Sequence, residues 1–154
     1  MATAHGTAAA RVRPATPADA PTLAAINRRA RAAAMPWLRG VRTRAEVGEG
    51  PLAYVGFGLA APQGGFTVFD LYVAPDRRGQ GLGRLLLDAA KAEAGGAAIT
   101  LRCFARNRAG RAFYGSQGFR AAATGDGTDD EEAEPDIVYV RRPGIEETTR
   151  GATA

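Results

Sequence analysis

The residues best arranged for chemistry are the glycines of a short loop, Arg78-Gly79-Gln80-Gly81-Leu82-Gly83-Arg84. A run rich in aromatic and β-branched residues precedes it, and a helical pattern starts directly after it. Successive backbone N–H groups at such a junction can converge on one anion, and the helix dipole adds to the attraction. Glycine admits the ligand where a Cβ would block it. Arg77, Arg78 and Arg84 add fixed positive charge, so the chemistry that suits the loop best is a pyrophosphate. A nucleotide P-loop would end in Gly-Lys-Ser/Thr, but this loop ends in Gly83-Arg84-Leu85. A dinucleotide fingerprint needs a third glycine where Arg84 or Leu86 stands, and an acid near Cys103, which has Arg102 and Phe104 as neighbours. The pattern that remains is Arg/Gln-x-x-Gly-x-Gly, met by Arg78, Gly81 and Gly83. The alternative is a tight strand-to-helix turn that binds nothing.

The elements that must hold this loop can be read around it. Thr16 as N-cap, Pro17 at the first turn and Asp19 behind it start a helix that Pro36 ends. A strand is expected to end at 11–13. Residues 54–60 and 66–73 read as strands joined by a Pro62-Gln63-Gly64-Gly65 turn. A short helix over 43–47 is possible. Leu82, Leu85, Leu86 and Ala89 line one helix face until Gly95-Gly96 stops it. Residues 99–104 form another strand, 107–117 a second amphipathic helix ended by Gly118, and strands follow from Phe119-Arg120 and over 137–140. Residues 1–10 and 143–154 read as disordered tails around one domain at 11–142.

Two runs in this order carry a resemblance. Leu71-Tyr72-Val73-Ala74-Pro75, continued by Arg78 to Leu86, resembles motif A of the GNAT family of N-acetyltransferases. Asn107-Arg108-Ala109-Gly110-Arg111-Ala112-Phe113-Tyr114-Gly115-Ser116-Gln117-Gly118-Phe119 resembles their motif B, with Gly110 where alanine is usual. The resemblance spans about residues 11–142. It implies an α/β (α+β) fold with a mixed, mostly antiparallel central sheet, two parallel central strands that splay apart (66–73 and 99–104), and flanking helices.

The resemblance also implies a reaction. Acetyl-CoA is the co-substrate, and no metal is expected. Backbone groups of Leu71, Tyr72 and Val73 would pair with the pantetheine arm. The backbone of Arg78, Gly79, Gln80, Gly81, Leu82, Gly83 and Arg84 would hold the pyrophosphate. Asn107, Phe113 and Tyr114 complete the cofactor side. An amine attacks the thioester directly, the Val73 amide polarises its oxygen, and Tyr114 gives a proton to the departing thiolate. The alternative for Tyr114 is a core tyrosine on the apolar face of its helix, and motif B favours the acid role. Asp70 is the first candidate for the base that deprotonates the amine; it could instead orient a bulge or a neighbouring arginine. Arg102 stands where some relatives carry a glutamate base. Cys103 reads as a packed side chain, since direct transfer needs no cysteine.

The acceptor side is expected to be walled by Trp37 and Tyr72, with Glu131 and Glu132 attracting a cationic amine. Residues 126–136 hold seven acids and no base, whereas the rest of the chain carries 20 bases against nine acids. Glu134 and Asp136 belong to the same acidic run. The favoured acceptor is a small cationic amine. The alternatives are a protein N-terminus or lysine, or a non-catalytic CoA-binding sensor. Only 30 residues separate Met35 from Phe66, so the region 38–65 that shapes the acceptor site looks compressed. A sheet edge exposed in this way would suit a homodimer.

Composition excludes other classes. One histidine, His5 in an Ala/Thr/Gly-rich tail, and one cysteine leave no Ser–His or Cys–His pair, no internal disulfide and no thiolate metal cluster. No apolar run of ~18 residues is present to span a membrane. No secretory signal is visible, so a cytoplasmic protein is expected. Nineteen of the 20 bases are arginine, a skew that with abundant Ala and Gly reflects a GC-rich, bacterial genome. The arginines are scattered and no aromatic stacking platform accompanies them, so no nucleic-acid partner is expected.

Overall fold

A computed structural model describes residues 10–37, 51–60, 65–127 and 133–144. The expected tails, the possible helix at 43–47, and Glu131 and Glu132 lie outside the described residues, apart from the tail residues adjoining the domain.

The chain enters through a 3-10 turn, Pro17–Asp19, that leads into α1 (Ala20–Ala34). Residues 11–13 are not a strand. Arg13 instead turns onto the helix start: its two terminal nitrogens donate to both Asp19 carboxylate oxygens at 2.8 Å. Asp19 also accepts from the Thr16 backbone N–H at 2.8 Å and the Thr16 hydroxyl at 3.1 Å. A local ion pair thus replaces the expected strand.

Five strands form one sheet: β1 (Ala53–Ala60), β2 (Gly65–Val73), β3 (Ile99–Phe104), β4 (Arg120–Gly125) and β5 (Asp136–Arg141). Their order is β1-β2-β3-β5-β4. Only β2 and β3 run parallel; the other three pairs are antiparallel. Parallel neighbours need a crossover, and α2 (Leu82–Ala94) supplies it. The helix α3 (Arg108–Ser116) then links β3 to β4.

The core lies on one face of the sheet. Phe66 and Val68 of β2, Ile99, Leu101 and Cys103 of β3, and Ile137 and Tyr139 of β5 alternate inward against Leu87 and Ala90 of α2 and Phe119. Leu87 and Ala90 lie one helical turn apart and are fully buried. The helix α1 packs its own apolar face, Ala25, Ile26 and Ala30, outside this cluster and against β1 and β2. No helix among the described residues is long and apolar enough to cross a membrane.

Candidate functional site

The parallel strands β2 and β3 pair at only three positions, Phe66↔Ile99, Thr67↔Thr100 and Val68↔Leu101. Past Val68 the β1–β2 register jumps: Phe57 faces Val68, but Gly56 faces Asp70. Phe69 is therefore the extra residue of a β-bulge on β2. A bulge bends its strand and shifts the side-chain alternation by one. Val68 and Leu71 accordingly both pack on the core, and the rest of β2 leans away from β3.

A slot opens between the two strands. The Ala74 N–H donates to the Leu52 carbonyl at 2.9 Å, toward β1. Backbone direction alternates along a strand, so Leu71 and Val73 turn their N–H and C=O groups the other way, into the slot. These are two of the positions expected to pair with an extended ligand arm.

The glycine loop closes one end of the slot. Gly79 and Gly81 have φ of 75° and 78°, a left-handed backbone that costs other residues roughly 1–2 kcal/mol. Nothing lies within 4 Å of a Cβ built at either glycine, so the approach is open. The first bond of α2 runs from the Leu85 N–H to the Gly81 carbonyl at 3.0 Å. The N–H groups of Leu82, Gly83 and Arg84 therefore have no acceptor within the helix. Such a helix start fits a phosphate-bearing ligand. The Arg78 side chain donates to the Ala30 carbonyl at 3.3 Å and ties the loop to the end of α1. Phe113 supports the loop from below, 3.3 Å from where a Cβ of Gly83 would stand. Gln80 and Arg84 are exposed.

Tyr114 sits beneath the slot. Its ring is held by Phe113, Phe119 and Tyr139, with centroids 5.4, 6.0 and 6.3 Å away. No described residue hydrogen-bonds its hydroxyl. Burial, reinforced by Cys103, Tyr72 and Asp70, holds the phenol well above its ordinary pKa. Tyr114 packs against the core side of the sheet, whereas Asp70 and Tyr72 stand on the opposite face of β2.

Asn107 is the N-cap of α3, where its side-chain oxygen accepts from the Gly110 N–H at 3.0 Å. A Cβ at Gly110 would lie 2.6 Å from Asn107 Nδ2 and 3.1 Å from Cys103 Sγ. Glycine at this motif position therefore makes room for the cap and the thiol. Burial pushes the Cys103 thiol up to about 11, which suits a packed side chain rather than a nucleophile.

The acceptor side differs from expectation in part. Trp37 is half-buried, with the Arg106 guanidinium 4.8 Å above its ring. Arg106 also donates to Glu134 at 3.3 Å, and Arg102 donates to the buried Asp136 at 3.2 Å. Glu134 and Asp136 are thus each partnered by an arginine. Two residues went unnoticed in the sequence. The Asn27 amide donates to the Tyr54 hydroxyl at 2.8 Å, and the Tyr54 ring lies 5.8 Å from that of Tyr72. Their only sequence signal is that Tyr54 opens the strand next to motif A. A separate cavity of about 520 Å³ lies between the end of α3 and β4, beside Ser116, Arg120 and Arg142; no sequence-predicted site residue lines it. No cluster of three metal-ligating side chains occurs among the described residues.

Comparison with known proteins agrees with this geometry. A family model described as an acetyltransferase (GNAT) domain matches residues 44–121, half of the chain. The ribosomal-protein-S18-alanine N-acetyltransferase from Escherichia coli is 29% identical, over 59% of this chain and 61% of its own, with a TM-score of 0.50. A Desulfovibrio desulfuricans protein described as an acetyltransferase of the GNAT family is 26% identical over 59% and 61%, with a TM-score of 0.52. YjaB from Escherichia coli, in its apo form, is 22% identical over 80% and 90%, with a TM-score of 0.61, a likeness of fold alone. This chain spans about three fifths of the length of the first two. No curated protein sequence matches it.

Proposed function

The chain belongs to the GNAT acetyltransferase family, and from that premise we propose that it transfers an acetyl group from acetyl-CoA to a primary amine by direct attack. The observation that carries this reading is the slot: β2 and β3 part after Val68 and Leu101, with the start of α2 at one end. The open N–H groups of Leu82, Gly83 and Arg84 receive the pyrophosphate, and the backbone of Leu71 and Val73 aligns the pantetheine arm.

Asp70 takes a proton from the incoming alkylammonium, directly or through water. The freed amine attacks the thioester carbonyl, whose oxygen the Val73 N–H polarises. Tyr114, held neutral by its surroundings, then gives its proton to the leaving thiolate; the second amine proton leaves the tetrahedral intermediate through water and restores Tyr114, and Asp70 releases the first to solvent. Cys103 takes no part.

Small cationic amines are the favoured acceptors, with Glu131 and Glu132 supplying the attraction. A protein N-terminus is the second reading, because the 29% identical relative acts by its name on the alanine of a ribosomal protein. Calorimetric titration with acetyl-CoA, followed by a free-thiol release assay over amines and N-terminal peptides, tests both. Turnover with small amines but not peptides supports the first; the reverse supports the second. Absence of acetyl-CoA binding refutes the transferase reading.

A further inference from the structure

The ladder between β2 and β3 ends at Val68↔Leu101, so beyond it the width of the slot must be held by packing around the strands. On the β2 side, α1 is tied twice to the backbone that follows the strand. Arg29 donates to Asp76 of the 3-10 turn Pro75–Arg77 at 3.2 Å, and the Ala30 carbonyl accepts from Arg78 at 3.3 Å. The same helix then reaches the β3 side. Met35 is buried, and its N–H donates to the Arg31 carbonyl at 2.8 Å. Trp37 follows, with the Arg106 guanidinium 4.8 Å from its ring centroid, and Arg106 stands just past the end of β3 at Phe104.

Arg106 is itself fixed. It donates to Glu134 at 3.3 Å. The Ala105 N–H beside it donates to the Pro135 carbonyl at 2.8 Å, and the Ala105 carbonyl accepts from Arg111 at 3.1 Å. The Trp37 indole N–H is buried with no acceptor among the described residues, so no hydrogen bond holds the ring; the stack on Arg106 does. A guanidinium can lie flat on an indole and still bond a carboxylate at its edge, which an ammonium cannot do as well.

We infer that α1 is a brace across the slot, and that Trp37, Arg106 and Glu134 are positioning residues that set the slot's width for the pantetheine arm of acetyl-CoA. The inference rests on the transferase reading above, which lays that arm in the slot. A slot held at its working width binds the arm without an ordering cost.

The test compares, by calorimetry, the Kd of acetyl-CoA with that of ADP, whose pyrophosphate suits the glycine loop and which has no arm to enter the slot. Trp37→Ala and Arg106→Ala should each raise the acetyl-CoA Kd about five-fold, the size of one cation–π contact, and leave the ADP Kd at its wild-type value. The double variant should match either single one, because the two residues act as a pair. Arg106→Lys and Glu134→Gln, which disturb the pair less, should give smaller rises for acetyl-CoA alone. Trp37 is the only tryptophan in the chain, so Arg106→Ala should also open its emission to acrylamide quenching. An unchanged acetyl-CoA Kd in both alanine variants, additive losses in the double, a parallel loss of ADP affinity, or unchanged quenching overturns the inference while the transferase reading stands. Wild-type protein that does not bind acetyl-CoA overturns that reading, and the inference with it.

Discussion

Replacing Tyr114 by phenylalanine separates chemistry from folding in this protein. The ring is held by Phe113, Phe119 and Tyr139, and phenylalanine keeps all three contacts. No described residue hydrogen-bonds the hydroxyl, so no native hydrogen bond is lost. The stability of Tyr114→Phe should therefore stay within about 0.5 kcal/mol of wild type. Acetyl-CoA affinity should also hold, because the backbone of Leu71, Val73 and the glycine loop carries it.

Turnover should fall. General acids contribute roughly 10²–10⁴-fold. The lower end applies here for two reasons. A thiolate leaves readily, since thiols ionise near ~8.5. Tyr114 is also a weaker acid than usual, because burial raises its pKa. The expected loss is about 10²-fold in kcat, or about 2.7 kcal/mol of barrier. The assay is thiol release at saturating acetyl-CoA and amine, with calorimetry and urea unfolding on the same preparation. The pH profile gives a second readout. A raised pKa keeps Tyr114 protonated through and beyond the ordinary tyrosine value of 10.0, so it contributes no alkaline loss of kcat below that value. A kcat within about three-fold of wild type would refute the acid role. An alkaline limb below the ordinary tyrosine range that disappears in the variant would keep the acid role and refute the raised pKa.

Gly81→Asp should abolish acetyl-CoA binding by calorimetry: the position needs φ of 78°, and a carboxylate there would meet the phosphates the loop attracts. Cys103→Ala should keep kcat, and wild-type Cys103 should resist alkylation at pH 8, where a thiol raised to about 11 is only about one part in a thousand thiolate; rapid labelling of the native protein would contradict this. Asp19 is held below the ordinary carboxylate value of 3.8 by the Arg13 guanidinium first and by Thr16 second. Its contribution is present above that value and is lost as pH falls below it, so Asp19→Asn should flatten the acid side of a stability-against-pH curve. Gly110→Ala should destabilise the fold in urea, by about 1–3 kcal/mol of overpacking against Asn107 and Cys103 less up to about 1 kcal/mol of helix propensity.

The legible parts of the sequence are those governed by local rules. The loop from Arg78 to Arg84, the helix behind it and the two strands beside it follow from glycine placement and hydrophobic period, and α2, β2 and β3 lie where those patterns put them. The splay was expected from family likeness, but its local cause was not visible. Phe69 reads as one more strand aromatic, and only the ladder with β1 reveals it as the bulged residue. The same holds for charge. Arg13, Arg102 and Arg106 read as members of a basic surface, yet each is paired to an acid, two of them across the sheet end at sequence separations of 34 and 28. Arg13 shows how such a pairing overrides propensity: a bidentate bond to Asp19 holds residues that otherwise resemble a strand end.

The bulge at Phe69 and the glycine at 110 solve one problem from opposite sides of the slot. A direct transfer needs an acid and a base near one carbonyl, but facing residues of a regular sheet point both groups to the same side. The bulge shifts β2 by one residue, so Asp70 and Tyr72 face α1 while Leu71 stays on the core. Tyr114 must then reach the slot from the opposite side, on a helix that starts only four residues after β3 ends. So tight a start requires the Asn107 cap to sit against the first turn, beside the Cys103 sulfur. Gly110 leaves the space for that. The strands pair only as far as Val68 and Leu101. Regular alternation past Val68 would instead turn Asp70 onto the core face and Leu71 away from it.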